Sequence, residues 1–102
     1  MADFDFSGRV AVVTGGASGI GREVATQFAK SGASVVVADV DDEGGQDTIE
    51  QIESNGGEAV YVSTDVTSMD DIDTMVETAV EEFGRLDYAV NNAGISGGEE
   101  PA

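Results

Sequence analysis

The sequence predicts an α/β domain built on a doubly wound parallel sheet, and three observations carry that prediction. Short β-branched runs alternate with longer segments whose apolar residues recur every three or four positions. Each change of period falls at glycine or at a capping residue. The first run opens directly into a loop with four glycines within seven residues, Gly15 to Gly21.

"RVAVVT", Arg9 to Thr14, is a β-branched run ending at glycine, the pattern of a strand buried on both faces. From Gly19 the period changes, with Ile20, Val24 and Phe28 four apart as far as "KSG", where Gly32 supplies a helix stop. "ASVVVAD", Ala33 to Asp39, is a second buried strand. Asp41 to Ser54 places Ile49 and Ile52 on one face and ends at "SNGG", a strong helix stop. "EAVYVSTDV", Glu58 to Val66, is a third strand, and Ser68 with Asp71 three residues later resembles a capping box. The helix it opens aligns Met69, Ile72, Met75, Val76, Ala79, Val80 and Phe83 on one stripe, expected to be core, and Gly84 ends it. "RLDYAVNNAG", Arg85 to Gly94, is a fourth strand running into a turn. Four strands alternating with three helices, joined by right-handed crossovers, make a parallel doubly wound sheet.

At 102 residues and 40% hydrophobic, the chain can bury one modest core and not two. A single domain over 1–102 is therefore expected. Cys and His are both absent, which excludes disulfides, thiolate or histidine metal sites, and Cys or His catalysis; no metal is expected. The opening "MADFDFSGRV" has no basic region, and no apolar stretch nears the roughly 20 residues that span a bilayer, so a soluble cytoplasmic protein is expected. Against 21 acids stand 4 bases, a net charge of −17 that repels nucleic acid and anionic membranes. The acids are scattered between the apolar positions of "DVDDEGGQDTIEQIE" and "SMDDIDTMVETAVEEF", as on a solvated surface. Adaptation to a high-salt cytoplasm, where screening reaches in to about 3 Å at 1 M, explains this economically; a merely acidic protein is the plainer alternative.

A loop joining a buried strand to a helix start offers free backbone N–H groups and the positive end of the helix dipole, with glycines that let an anion come close. A phosphate-binding ATPase loop shares the Gly16 to Gly21 spacing, but Arg22 and Glu23 stand where its Lys and Ser/Thr belong. The fingerprint G-x-G-x-x-G fails too, since Gly15, Gly19 and Gly21 are spaced G-x-x-x-G-x-G.

"TGGASGIG", Thr14 to Gly21, resembles the T-G-x-x-x-G-x-G cofactor motif of the short-chain dehydrogenase/reductase family, and "NNAG", Asn91 to Gly94, resembles its second motif. The resemblance covers essentially the whole chain and implies a Rossmann-type fold with strand order 3-2-1-4. It implies that Gly15, Ala17, Ser18, Gly19 and Ile20 surround the pyrophosphate and adjoining ribose, and that Gly21 permits close helix packing. Asp39, at the second strand's tip, would accept the ribose hydroxyls of NAD and repel the 2′-phosphate of NADP. Val40, next to Asp39, is likewise expected at the cofactor; it is not arginine and Ser18 is not basic, and either of those would argue for NADP. Asp65 and Val66 resemble the family's adenine contacts, although Asp65 also suits an ordinary turn. Asn91 is expected to stabilise the sheet, and Asn92, Ala93 and Gly94 to line the adenosine ribose.

The family's acid/base tyrosine belongs to a Tyr-x-x-x-Lys motif, with a serine and an asparagine placing the substrate carbonyl. Neither tyrosine fits: four residues beyond Tyr61 and Tyr88 stand Asp65 and Asn92, and the only lysine is Lys30. Members run to about twice this length or more. The chain therefore resembles the amino-terminal half of an NAD-dependent enzyme, inactive by itself. The full-length protein would act on a small alcohol or carbonyl compound as a homodimer or tetramer. A non-catalytic dinucleotide-binding module is the alternative. A Rossmann-like methyltransferase is disfavoured because Val13 and Thr14 stand where it carries an acid before the first glycine, and a sugar-nucleotide epimerase would need glycine in place of Ser18.

Overall fold

Strand β1, Val10–Thr14, is buried at every position and forms the inside of the sheet. It is followed by α1 (Gly19–Lys30), β2 (Ser34–Asp39), α2 (Asp42–Ser54), β3 (Glu58–Ser63), α3 (Met69–Phe83) and β4 (Tyr88–Asn91). This computed structural model describes residues 5–92. All strand pairs are parallel and the order is β3-β2-β1-β4, as expected. Val12 sits opposite Val36 and Ala89, and Val36 opposite Val60, so the β-branched runs align across the sheet.

Alternation along the strands divides the core in two. Val13, Val35 and Val37 pack with Ala25 of α1 and with Ile49 and Ile52 of α2. Val10, Val12, Val36 and Ala38 face the other way, onto Met75 and Ala79 of α3. Two helices on one face and one on the other follow from crossover handedness: the chain steps outward from β1 to β3, then returns to the far side of β1.

Two expectations need correction. The third strand ends at Ser63 and not at Val66, because Asp65 Oδ1 accepts the N–H and hydroxyl of Thr67 and turns the chain. The stripe on α3 is core only in part: Met75 and Ala79 are buried, whereas Met69, Val76 and Val80 are 72, 37 and 50% exposed. Helical period says which residues share a face, not how much of that face a neighbour covers. Among the described residues α3 alone covers its side, and a groove of about 270 Å³ lined by Val12, Ile72, Met75, Ala89 and Val90 lies beside it.

Asp87 joins the amino ends of β1 and β4. Its carboxylate accepts the Val10 N–H at 2.9 Å and a two-pronged contact from Arg85 at 2.9 and 2.8 Å, while its own N–H donates to the Val10 carbonyl. The Arg85 guanidinium first, and then the Val10 N–H, hold the Asp87 carboxyl below the usual carboxylate range. A depressed folded-state pKa stabilises the fold above the unfolded value and loses that contribution as pH falls through the folded one. Asp87→Asn should therefore flatten the acid side of the stability profile below about pH 4, read as denaturation midpoint against pH. Ile52, 2% exposed at the centre of the α1/α2 core, should cost about 2 to 5 kcal/mol when truncated to alanine, measured by denaturant unfolding.

Candidate functional site

Four parallel strands bring their carboxyl ends to one rim, and the order reverses between β1 and β4, where doubly wound sheets open a crevice. A cleft of about 490 Å³ lies there. Gly15, Ser18, Gly19 and Ile20 line it from the glycine loop and α1, Ala38, Asp39 and Val40 from the end of β2, Thr64, Asp65 and Val66 from beyond β3, and Asn92 from beyond β4.

The start of α1 differs from the other helix starts. In α2 the Asp41 side chain accepts from the Gly44 N–H and two acids occupy the first turn; in α3 Ser68 accepts from the Asp71 N–H and again two acids follow. Helix α1 has no acid in its first turn, and its N-cap Ser18 makes no side-chain cap bond. In a chain with 21 acids, the helix that starts on the cleft is the one with no acid in its own first turn. Gly21 holds α1 down on the loop: a Cβ there would come 2.6 Å from the Gly15 carbonyl carbon and 2.8 Å from Asn92 Nδ2.

Across the cleft, the Asp39 carboxylate is fixed by three backbone N–H groups. Oδ2 accepts from Ala17 at 3.0 Å, and Oδ1 from Val40 at 2.7 Å and Asp41 at 3.1 Å. Its own carbonyl accepts from the Thr64 N–H, which draws the end of β3 to the end of β2. The Tyr61 hydroxyl lies 2.7 Å from both the Asp39 carbonyl and Asp42 Oδ1 and donates its one proton to either. Burial, reinforced by the Asp42 carboxylate, pushes the Tyr61 phenol well above its ordinary value, so it stays protonated.

Asp65 takes the turn geometry described above, and the hydroxyl and N–H of Thr67 hold its carboxyl below the usual range. The anticipated capping box is half made. Ser68 caps the Asp71 N–H, but Asp71 Oδ2 accepts from the Asp65 N–H and not from Ser68, tying α3 to the cleft rim. Thr14 Oγ1 donates toward the Val90 carbonyl at 3.2 Å and Asn91 Oδ1 at 3.1 Å, so Asn91 joins β4 to β1, while Asn92 Nδ2 reaches the Gly15 carbonyl at 3.4 Å.

Nine of the anticipated site residues thus share one cleft: Gly15, Ser18, Gly19, Ile20, Asp39, Val40, Asp65, Val66 and Asn92. Ala17 and Gly21 are buried behind it, Ala17 at 1% exposure with its N–H on Asp39. Ala93 and Gly94 lie outside the described residues. Sequence reasoning missed Ala38 and Thr64, which line the cleft, and Arg22 and Thr48, which lie against the back of the loop. Ala38 and Thr64 adjoin the two anticipated acids and could have been found by that adjacency. Among the described residues no helix is long and apolar enough to cross a membrane.

The profile of the short chain dehydrogenase family matches residues 9–102. Over 91 residues the chain is 47% identical to an uncharacterized oxidoreductase of Thermotoga maritima, covering 89% of this chain and 36% of that protein. It is 45% identical over 96 residues to glucose 1-dehydrogenase 2 of Bacillus subtilis, covering 93% of this chain and 37% of that one. Among solved structures, a short chain dehydrogenase/reductase of Burkholderia phymatum in complex with NAD superposes with a TM-score of 0.80 at 36% identity, over 84% of this chain and 31% of that one. The chain spans about a third of the length of the relatives it matches. By sequence and by fold, it belongs to the short-chain dehydrogenase family.

Proposed function

We propose that residues 1–102 are the NAD-binding, amino-terminal part of an oxidoreductase that moves hydride between a nicotinamide cofactor and an alcohol or carbonyl compound. The observation that carries this reading is the pairing, on one cleft, of an uncharged and uncapped helix start with a fixed carboxylate opposite it. Ser18, Gly19 and Ile20 would receive the pyrophosphate on backbone N–H groups, and Asp39 the adenosine ribose. Asp65, Val66 and Asn92 would close the adenosine end, with Ala93 and Gly94 beyond. The bound cofactor supplies the hydride chemistry; this chain's residues bind and orient.

A carboxylate offers about four lone-pair sites, and Asp39 has three N–H donors on it, which leaves about one for a ribose hydroxyl. A 2′-phosphate in the same place would meet like charge, so NAD is preferred over NADP. The catalytic serine, tyrosine and lysine, the substrate pocket and the dimer or tetramer contacts belong to a carboxy-terminal part. The apolar groove beside α3 and the exposed Val76 and Val80 support a further layer of chain over that face. The 102-residue chain by itself should bind nucleotide weakly and turn over no alcohol. Cytoplasmic placement and adaptation to high salt complete the proposal, the latter resting on the scattered charge of −17.

Dissociation constants for NAD and NADP, measured on the chain and on Asp39→Ala, test the cofactor reading. NAD should bind more tightly, and the substitution should narrow the difference by about 1 to 3 kcal/mol; an unchanged ratio would remove Asp39 from the role. The salt reading predicts a Tm that rises between about 0.1 and about 2 M KCl as self-repulsion is screened. A flat or falling Tm contradicts it.

A further inference from the structure

Arg22 directly follows the glycine loop, where a cation would be expected to meet a phosphate. Its guanidinium instead turns to the back of the loop. Nε donates to the Thr48 hydroxyl at 2.9 Å, and Nη2 donates to the Ala17 carbonyl at 2.6 Å and the Gly44 carbonyl at 3.2 Å. The Thr48 hydroxyl, on a residue with 0% exposure, donates to the Gly16 carbonyl at 2.8 Å. Helix α2 comes this close because Gly44 has no side chain: a Cβ there would lie 2.8 Å from the Ala17 carbonyl oxygen and 3.1 Å from the Ala17 Cβ.

These bonds fix two peptide planes. In a trans peptide the N–H points opposite to the preceding C=O, and the described residues contain no cis bond. With the Gly16 carbonyl held back by Thr48, the Ala17 N–H faces forward, onto Asp39 Oδ2 at 3.0 Å. With the Ala17 carbonyl held back by Arg22, the Ser18 N–H faces forward from a residue that lines the cleft. We infer that Arg22 and Thr48 are positioning residues: they act through the backbone to aim the Ala17 N–H at the ribose-binding carboxylate and the Ser18 N–H at the pyrophosphate. This rests on the dinucleotide reading above and assigns its phosphate recognition to peptide dipoles rather than to the neighbouring cation.

The test compares the chain with Arg22→Met, Thr48→Val and Thr48→Ser, each checked by near-UV circular dichroism. Amide hydrogen exchange at Ala17 needs no ligand, and protection there should be lost in Thr48→Val and kept in Thr48→Ser. In Arg22→Met, affinity for ADP should fall about tenfold or more and that for adenosine, which lacks phosphate, much less; in Thr48→Val both should fall, because adenosine keeps the ribose that Asp39 would receive. Thr48→Ser should bind ADP as the parent chain does. Equal losses for ADP and adenosine in Arg22→Met, or an Ala17 amide that stays protected in Thr48→Val, overturn the inference. So does ADP binding that fails in Arg22→Met but survives in Thr48→Val, which would make Arg22 a direct phosphate ligand. A parent chain that binds neither ADP nor adenosine overturns the dinucleotide reading instead, and the exchange measurement still decides how the peptides are held.

Discussion

The hydrogen bond from the Ala17 N–H to the Asp39 carboxylate is the contact on which the cleft depends. It joins the loop after β1 to the tip of β2, two segments 22 residues apart in sequence. The Val40 and Asp41 N–H groups fix the same carboxylate, and the Asp39 carbonyl receives Thr64 from the end of β3. Three strand ends are therefore held in register at the rim, with the carboxylate facing the cleft. A charge that accepts several backbone N–H bonds is preorganised, so a ligand meets it without first ordering it.

Charge is distributed so that this rim stays usable. Helices α2 and α3 spend acids and cap side chains on their own first turns, which neutralises their dipoles. Helix α1 does neither, and its positive end opens on the cleft. Of the 4 bases, Arg85 and Arg9 attend Asp87 at the opposite end of the sheet, and Arg22 is absorbed behind the loop. Under the proposed function, attraction for a diphosphate would fall to backbone dipoles acting locally, within a protein whose net charge of −17 repels anions at long range. Salt would relieve that repulsion while leaving the short contacts in place.

Much of this was legible in the sequence because the relevant signals are local. Spacing of Gly15, Gly19 and Gly21 between a β-branched run and a helical pattern locates the loop, and an acid ending the second run locates Asp39. Glycine and serine punctuation located every element, though Asp65 and Thr67 ended β3 sooner than its apolar pattern suggested. What was illegible depends on tertiary partners. Met69, Val76 and Val80 keep helical period with Met75 and Ala79, and only the position of α3 on the sheet decides which are covered. The direction of Arg22 is set by Thr48 and Gly44, more than twenty residues away, and no spacing rule reports it. Asp71 likewise finds the Asp65 N–H because the turn brings it there.

We propose that the cleft between the glycine loop and Asp39 holds a dinucleotide by its pyrophosphate at the start of α1. A crystal structure of the chain grown with NAD tests this most directly. Pyrophosphate oxygens should lie on the backbone N–H groups of Ser18 to Ile20 and a ribose hydroxyl on Asp39, with Arg22 still turned toward Ala17 and Gly44. Nucleotide density elsewhere on the molecule, or a pyrophosphate held by the Arg22 side chain with the loop peptides reversed, would contradict it.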